Sequence, residues 1–148
     1  MRLTAFTDFG LRVLMRLAGS PERVVTTEAL AGELAVSRHH LTKVVRALAA
    51  AGYVSTARGA GGGFRLARPA TAITVGAVVR QLEGRHALVE CFRADGGTCS
   101  LTPGCRLKSH LTRAREAFLA ELDKVTIADC AWPSAPAPAP APGAAEAS

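Results

Sequence analysis

Nothing in this sequence reads as a membrane span. No apolar run approaches the ~20 residues that a bilayer requires, and arginines interrupt the most apolar early stretch, "LRVLMRLAG". A charged-then-apolar leader is also missing after Met1, which points to a protein of the cytoplasm. There is no paired C-x2-C knuckle of the zinc-ribbon kind. The glycine run "GAGGG" lacks the Lys-Ser/Thr and the following helix that a phosphate-cradling loop needs. No nucleophile–base pair stands out, so an enzyme is not expected. Acidic residues are scarce in the first half: residues 1–68 hold ten Lys/Arg against four Asp/Glu, whereas residues 69–148 hold eight of each. A basic half joined to a neutral one is the charge footprint of a nucleic-acid-binding module with a partner region.

What is present supports one core. Hydrophobic residues make up 49% of the 148, enough for a single domain with an appendage. Residues 4–18 carry Phe6, Val13, Leu14, Leu17 and Ala18 at helical spacing, with Thr4 as a plausible N-cap. Gly19, Ser20 and Pro21 break the pattern. Thr27 then reads as the cap of a short helix, "EALAGELA", burying Leu30 and Leu34. After a tight turn at Ala35–Val36, Ser37 caps a helix over 38–51 whose buried column is Leu41, Val44, Val45 and Leu48, with Gly52 as its C-terminal stop. "YVSTA" and "FRLAR" are short strands around a glycine-rich basic tip. Another helix spans Thr74–Leu82 and stops at Gly84. Thr102, followed by Pro103, reads as the start of a long helix reaching about Val125, with Leu107, Leu111, Ala114, Phe118, Leu122 and Val125 along one stripe. That helix would be roughly 33 Å long, more than so small a core can cover, and its stripe asks for a second copy of the chain.

Helix, tight turn, helix, hairpin is the order of a winged helix-turn-helix, in which the second helix enters the major groove of double-stranded DNA. Arg38, Thr42 and Arg46 share one column there, with His39 and Lys43 beside it, and all can bond base edges or phosphates. Thr27 and Ser37 bring helix N-termini towards phosphates. Arg58, Gly62 and Gly63 suit a wing lying against the minor groove or the sugar-phosphate backbone. The fold class expected is mainly α with a small β-hairpin wing. Residues 1–84 form the DNA-binding domain with a linker helix, 85–130 the cysteine loop and dimerisation helix, and 131–148 a Pro/Ala-rich disordered tail.

Three of the four cysteines, Cys91, Cys99 and Cys105, fall in a Gly-rich loop with the spacing C-x7-C-x5-C. In a reducing compartment they are ligands or sensors before they are disulfides. Three thiolates can hold an iron–sulfur cluster with a fourth ligand from outside. A zinc site completed by His110 or His86 stays open, as does a small redox or electron-transfer protein that needs a cluster but no basic helix face. Cys105, in the first turn of the long helix, gains from the helix dipole. Cys130 lies beyond the motif and reads as a bystander.

The "TDFGLRVLMRLA" opening, the "GAGGGFRLAR" wing and "TPGCRLKSHLTRAREAFLAELDKVTIAD" together resemble the Rrf-type iron–sulfur winged-helix regulators over about residues 1–130. The resemblance implies a homodimeric repressor that binds palindromic operator DNA, senses nitric oxide and controls nitric-oxide detoxification genes. Sensing of redox or cluster status is the alternative. It implies Cys91, Cys99 and Cys105 as ligands of a 4Fe-4S cluster, or alternatively a 2Fe-2S one. Asp8 would supply the fourth ligand from the partner subunit. The cluster-assembly branch of the family has a histidine three residues after the last cysteine. Lys108 stands there, which sets this chain apart from that branch.

Overall fold

The computed structural model describes residues 2–57, 59, 62–84, 87–102 and 104–132. Arg58, His86, Pro103 and the tail from 133 onwards, on which expectations were placed, lie outside that set. Among the described residues, five α-helices and one hairpin follow in the order α1 (Ala5–Ala18), α2 (Thr27–Glu33), α3 (Arg38–Ala50), β1 (Val54–Ala57), β2 (Gly63–Leu66), α4 (Val75–Glu83) and α5 (Arg106–Leu122). No described helix is long and apolar enough to cross a membrane.

Local chemistry accounts for most of these boundaries. Thr4, Ser37 and Thr74 each take an extended conformation and accept a hydrogen bond from the backbone N–H three residues on, which satisfies one of the donors stranded at a helix start. The cap of α2 is Thr26, not Thr27: the Thr26 hydroxyl accepts from Ala29 N–H, and Thr27 is already helical. A main-chain bridge explains the shift. Val25 exchanges N–H···O bonds of 3.0 and 2.9 Å with Phe64, so the chain is extended up to residue 25 and turns helical one step earlier than expected. At its other end α2 closes with Val36 N–H on Ala31 C=O and Ala35 N–H on Gly32 C=O, with Ala35 at φ +52°. This is the Schellman arrangement, here with alanine in the left-handed position that glycine usually takes. Leu34 is therefore a half-buried cap, and Ala31 takes the core place expected of it. Helix α3 ends the same way, on Gly52 at φ +73°, with Tyr53 N–H on Leu48 C=O.

The core joins Val13, Leu14 and Leu17 of α1 to Leu30, to Leu41, Val44 and Leu48 of α3, to Phe64, to Val78 and Leu82 of α4, and to Ile127 beyond α5. The hairpin pairs antiparallel with Val54 opposite Leu66 and Ala57 opposite Gly63, and the Val25 bridge adds a third short edge to it. Arg16 is 3% exposed and pairs through Nε with Glu33, tying α1 to α2.

Helix α5 departs from expectation at both ends. It begins after Cys105, which is its N-cap, rather than after Thr102, and it stops at Leu122 rather than near Val125. Its 17 residues make about 26 Å at ~1.5 Å per residue. The far end is cut short because residues 125–127 pair with 73–75: Val75 N–H bonds to Val125 C=O and Ile127 N–H to Ile73 C=O. Only Leu119 of α5 is buried, whereas Leu107 is 61% and Phe118 37% exposed. Helix α5 is held to α4 by Arg80, which donates to both oxygens of Asp123 at 2.6 and 2.7 Å.

Two outcomes follow from this packing. Ala35→Gly removes the strain of a side chain in the left-handed region and should raise unfolding stability by about 0.5–1 kcal/mol in denaturant titrations. The Arg80 hydrogen bond holds the Asp123 carboxyl below the usual carboxylate range, so its contribution is complete above the unfolded value of about 3.9 and is lost as pH falls through the lower folded value. Wild type should melt above Asp123→Asn at neutral pH, with the gap closing under strong acid in a pH series of thermal melts.

Candidate DNA-reading face and cysteine segment

The exposed side of α3 follows from its buried one. With Leu41, Val44, Val45 and Leu48 inward, 3.6-residue periodicity turns Arg38, His39, Lys43 and Arg46 to solvent, and all four are exposed. The helix contains no acidic residue, and among the described residues none of Arg38, Lys43 and Arg46 makes an ion pair. Thr42 is half-buried and its hydroxyl donates to Arg38 C=O at 2.8 Å, which leaves its lone pairs as the available group. Ser37 is exposed and caps the helix through His40 N–H. Thr27, half-buried in the first turn of α2, also stands at a helix start.

His40 and Arg65 were missed by sequence reasoning. His40 is exposed with its ring centroid 6.1 Å from that of His39. Arg65 is exposed on β2 opposite Ser55. Strand alternation between the inward Phe64 and Leu66 was the signal for Arg65. At the hairpin tip, Gly62 N–H bonds to Gly59 C=O at 2.8 Å, and Gly63 opens β2.

The cysteine segment is ordered by carboxylates. Cys91 sits in a 3-10 turn, Glu90–Phe92. Glu90 accepts from the Thr98 hydroxyl at 2.6 Å and from Thr98 N–H at 3.0 Å, and these bonds hold its carboxyl below the usual range. Asp95 accepts from Gly97 N–H at 3.0 Å and from Arg93, with the same effect. Gly97 is required at φ +63°, where an added Cβ would lie 2.5 Å from the Glu90 carbonyl oxygen. Arg115 of α5 stands 5.6 Å over the Phe92 ring, pinning the turn beside Cys91 to that helix. Cys99 lies outside any helix or strand, with Thr102 N–H bonded to its carbonyl, and Cys105 caps α5 without a side-chain bond.

All four cysteines are unpaired and half-buried. Among the described residues no three His, Cys, Asp or Glu side chains are gathered as a metal group. His110, the alternative zinc ligand, is exposed on α5 with Nδ1 2.9 Å from Arg113. Asp8 lies in the first turn of α1, 46% exposed, with Arg12 2.7 Å away. In kind, the three thiols fit an iron–sulfur centre, which takes soft thiolate donors. An open groove of about 1530 Å³ lies beside the segment, between the start of α1, α4 and α5, lined by Leu3, Val79, Leu88, Phe92 and Leu119.

A helix–turn–helix whose second helix shows an unpaired basic face, followed by a hairpin, defines a winged helix-turn-helix DNA-binding protein. The profile of the Rrf2 family, described as iron-dependent transcriptional regulators, matches residues 3–132. The chain belongs to the Rrf2 family. It is 47% identical over 130 residues to the HTH-type transcriptional regulator NsrR of Geobacillus kaustophilus, covering 87% of this chain and 88% of that one. Among solved structures it resembles CymR, the global cysteine regulator of B. subtilis (TM-score 0.71, 31% identity, 88% of this chain and 96% of that one). It also resembles T. potens IscR (TM-score 0.67, 28% identity, 87% and 85%). The chain is thus a transcriptional regulator and not an enzyme, and the electron-transfer alternative is set aside.

Arg38 lies at the start of α3, where side chains of a reading helix reach base edges. Arg38→Ala should weaken operator binding by about 1–3 kcal/mol and relax specificity at one base pair if Arg38 reads a guanine. A uniform loss across sequences, with a shallower salt dependence, would assign it to a phosphate. Fluorescence anisotropy titrations at several fixed salt concentrations separate the two.

Proposed function

We propose that this regulator is a homodimeric repressor that holds an iron–sulfur cluster, 4Fe-4S in the first instance, and releases its operator when nitric oxide arrives, so controlling nitric-oxide detoxification genes from the cytoplasm. The observation that carries the reading is the set of three unpaired thiols, Cys91, Cys99 and Cys105, on the one segment between α4 and α5. The 47% identity to a protein named NsrR supports the choice of signal.

Cys91, Cys99 and Cys105 would hold the group, with Asp8 of the second subunit completing the set. When bound, the group supplies iron that nitric oxide can attack. The chain's own residues do the rest. The turn at 90–98, braced by Glu90 and Asp95, keeps Cys91 and Cys99 at the two ends of one hydrogen-bonded loop. Asp8 must leave Arg12 to reach a thiol set on the other subunit. A carboxylate there would be a harder and weaker ligand for such iron than the three thiolates. The stripe of exposed Leu107 and Phe118 with half-buried Leu111 on α5 supports the second copy as its cover. Arg38, His39, Thr42, Lys43 and Arg46 read or grip the duplex, with Ser37, Thr27 and the wing residues Arg58, Gly62 and Gly63 against its backbone.

Cys99→Ala should abolish the visible absorption of anaerobically reconstituted protein and high-affinity operator binding while leaving a folded dimer. Asp8→Ala should keep a cluster but alter its spectrum, its reaction with nitric oxide and its operator affinity. Iron and sulfide analysis with anaerobic spectra checks both. A colourless zinc protein would overturn the sensor reading, and a Cys99→Ala variant with full iron content would remove that residue from the ligand set.

A further inference from the structure

The start of α1 is capped from across the molecule. Thr4 is the N-cap, and its hydroxyl accepts from Thr7 N–H at 3.2 Å. In the usual reciprocal cap, a Glu or Gln at the third helical position reaches back to the N–H of the cap residue. Here that position is Thr7, fully buried and too short for the task. Glu83, the last residue of α4, takes over. Its Oε1 accepts from Thr4 N–H at 2.7 Å and from the Thr4 hydroxyl at 2.9 Å. One carboxylate oxygen therefore completes the cap of a helix 79 positions away in sequence, and its charge faces the positive end of that helix.

The two helices are in close register around this point. A Cβ on Gly10 of α1 would meet Leu82 Cδ1 at 2.5 Å, so α1 and α4 approach almost backbone to side chain and cannot slide freely. Helix α1 also packs on the reading helix α3. Past Glu83 and Gly84 the chain leaves α4 for the cysteine segment. Glu83 is the last helical residue before that segment, and it holds the end of α1 that carries Asp8.

We propose that Glu83 is a positioning residue that transmits the state of the cysteine segment to the DNA-reading helix through its paired hydrogen bonds to Thr4. This rests on the cluster-dependent repressor reading above. It assigns Glu83 no part in holding the cluster or touching DNA. Its role is to make the loaded and cluster-free states differ at α3.

The test compares wild type, Glu83→Gln, Glu83→Ala and Glu83→Asp, each in cluster-loaded and cluster-free form, by titrating operator DNA anaerobically at fixed salt. Wild type should show an affinity ratio between the two forms in the range of about 5–150-fold typical of coupled sites. Glu83→Gln keeps an acceptor oxygen and should keep that ratio within about twofold. Glu83→Ala should load with an unchanged absorption spectrum, yet its ratio should fall below about twofold. Amide exchange at residues 2–8 of the cluster-free Ala variant should quicken by about tenfold or more, as expected for losing a hydrogen bond to a charged acceptor. Glu83→Asp withdraws the carboxylate by one methylene and gives the same reading should the Ala variant not fold. A wild-type ratio in folded, loaded Ala and Asp variants overturns the inference. So does loss of the cluster spectrum in them, which would make Glu83 part of the cluster site. A wild type with equal affinity in both forms overturns the repressor reading and this inference together.

Discussion

Burial of Val13, Leu14 and Leu17 forces α1 into the middle of the molecule, between α3 and α4. These side chains are at most 1% exposed, and removing such contacts is worth several kcal/mol per large residue. Helices α3 and α4 and strand β2 pack directly on α1. Helix α3 seats Leu41, Val44 and Leu48 against it and so has only one face left for solvent. That face carries the unpaired cations. Helix α4 comes close enough at Gly10 for a side chain to touch the α1 backbone region. Helix α1 thus touches both the helix that carries the basic face and the helix that leads into the cysteine segment.

The cysteine segment is built on a different principle. It buries little, and its order comes from carboxylates bonded to backbone N–H groups and a threonine hydroxyl, at Glu90 and Asp95. Such local bonds set the shape of a loop without a hydrophobic core, and each contributes modestly. A segment held in this way can change shape without unfolding the domain beside it. Helix α5 has the same partial independence. It meets the domain near Leu119 and through the Arg80–Asp123 pair, while in its first half Leu107 is 61% exposed.

Family membership fits the division of labour. Residues 3–132 match the Rrf2 profile, so the match includes both the basic reading unit and the thiol-bearing segment. The net charge of +6 sits almost wholly in the first unit. Long-range attraction to DNA then acts chiefly on that basic unit.

Wherever neighbours in sequence decide the outcome, the sequence was legible. The apolar column of α3, the caps Thr4 and Ser37 and the glycine stop at Gly52 all depend on groups within four residues of one another. So does the basic face that the column leaves exposed. Where two local solutions were nearly equal, distant contacts chose. Thr26 and Thr27 can both cap a helix, and the Val25–Phe64 bridge selected Thr26. Val125 continues the α5 stripe in sequence, but pairing of 125–127 with 73–75 drew it out of the helix and put Ile127 into the core. The Thr102–Pro103 start signal gave way to a turn on Cys99, and α5 began at Cys105 instead. The Glu83–Thr4 bond had no local signature at all, because its partners meet only when α1 and α4 pack. The sequence alone thus determined which surfaces are apolar, which are basic and where the thiols stand along the chain, since composition and periodicity are properties of the strand itself. Only tertiary structure decided where α2 begins, where α5 stops and which carboxylate closes the cap of α1, because those depend on groups brought together by burying the core.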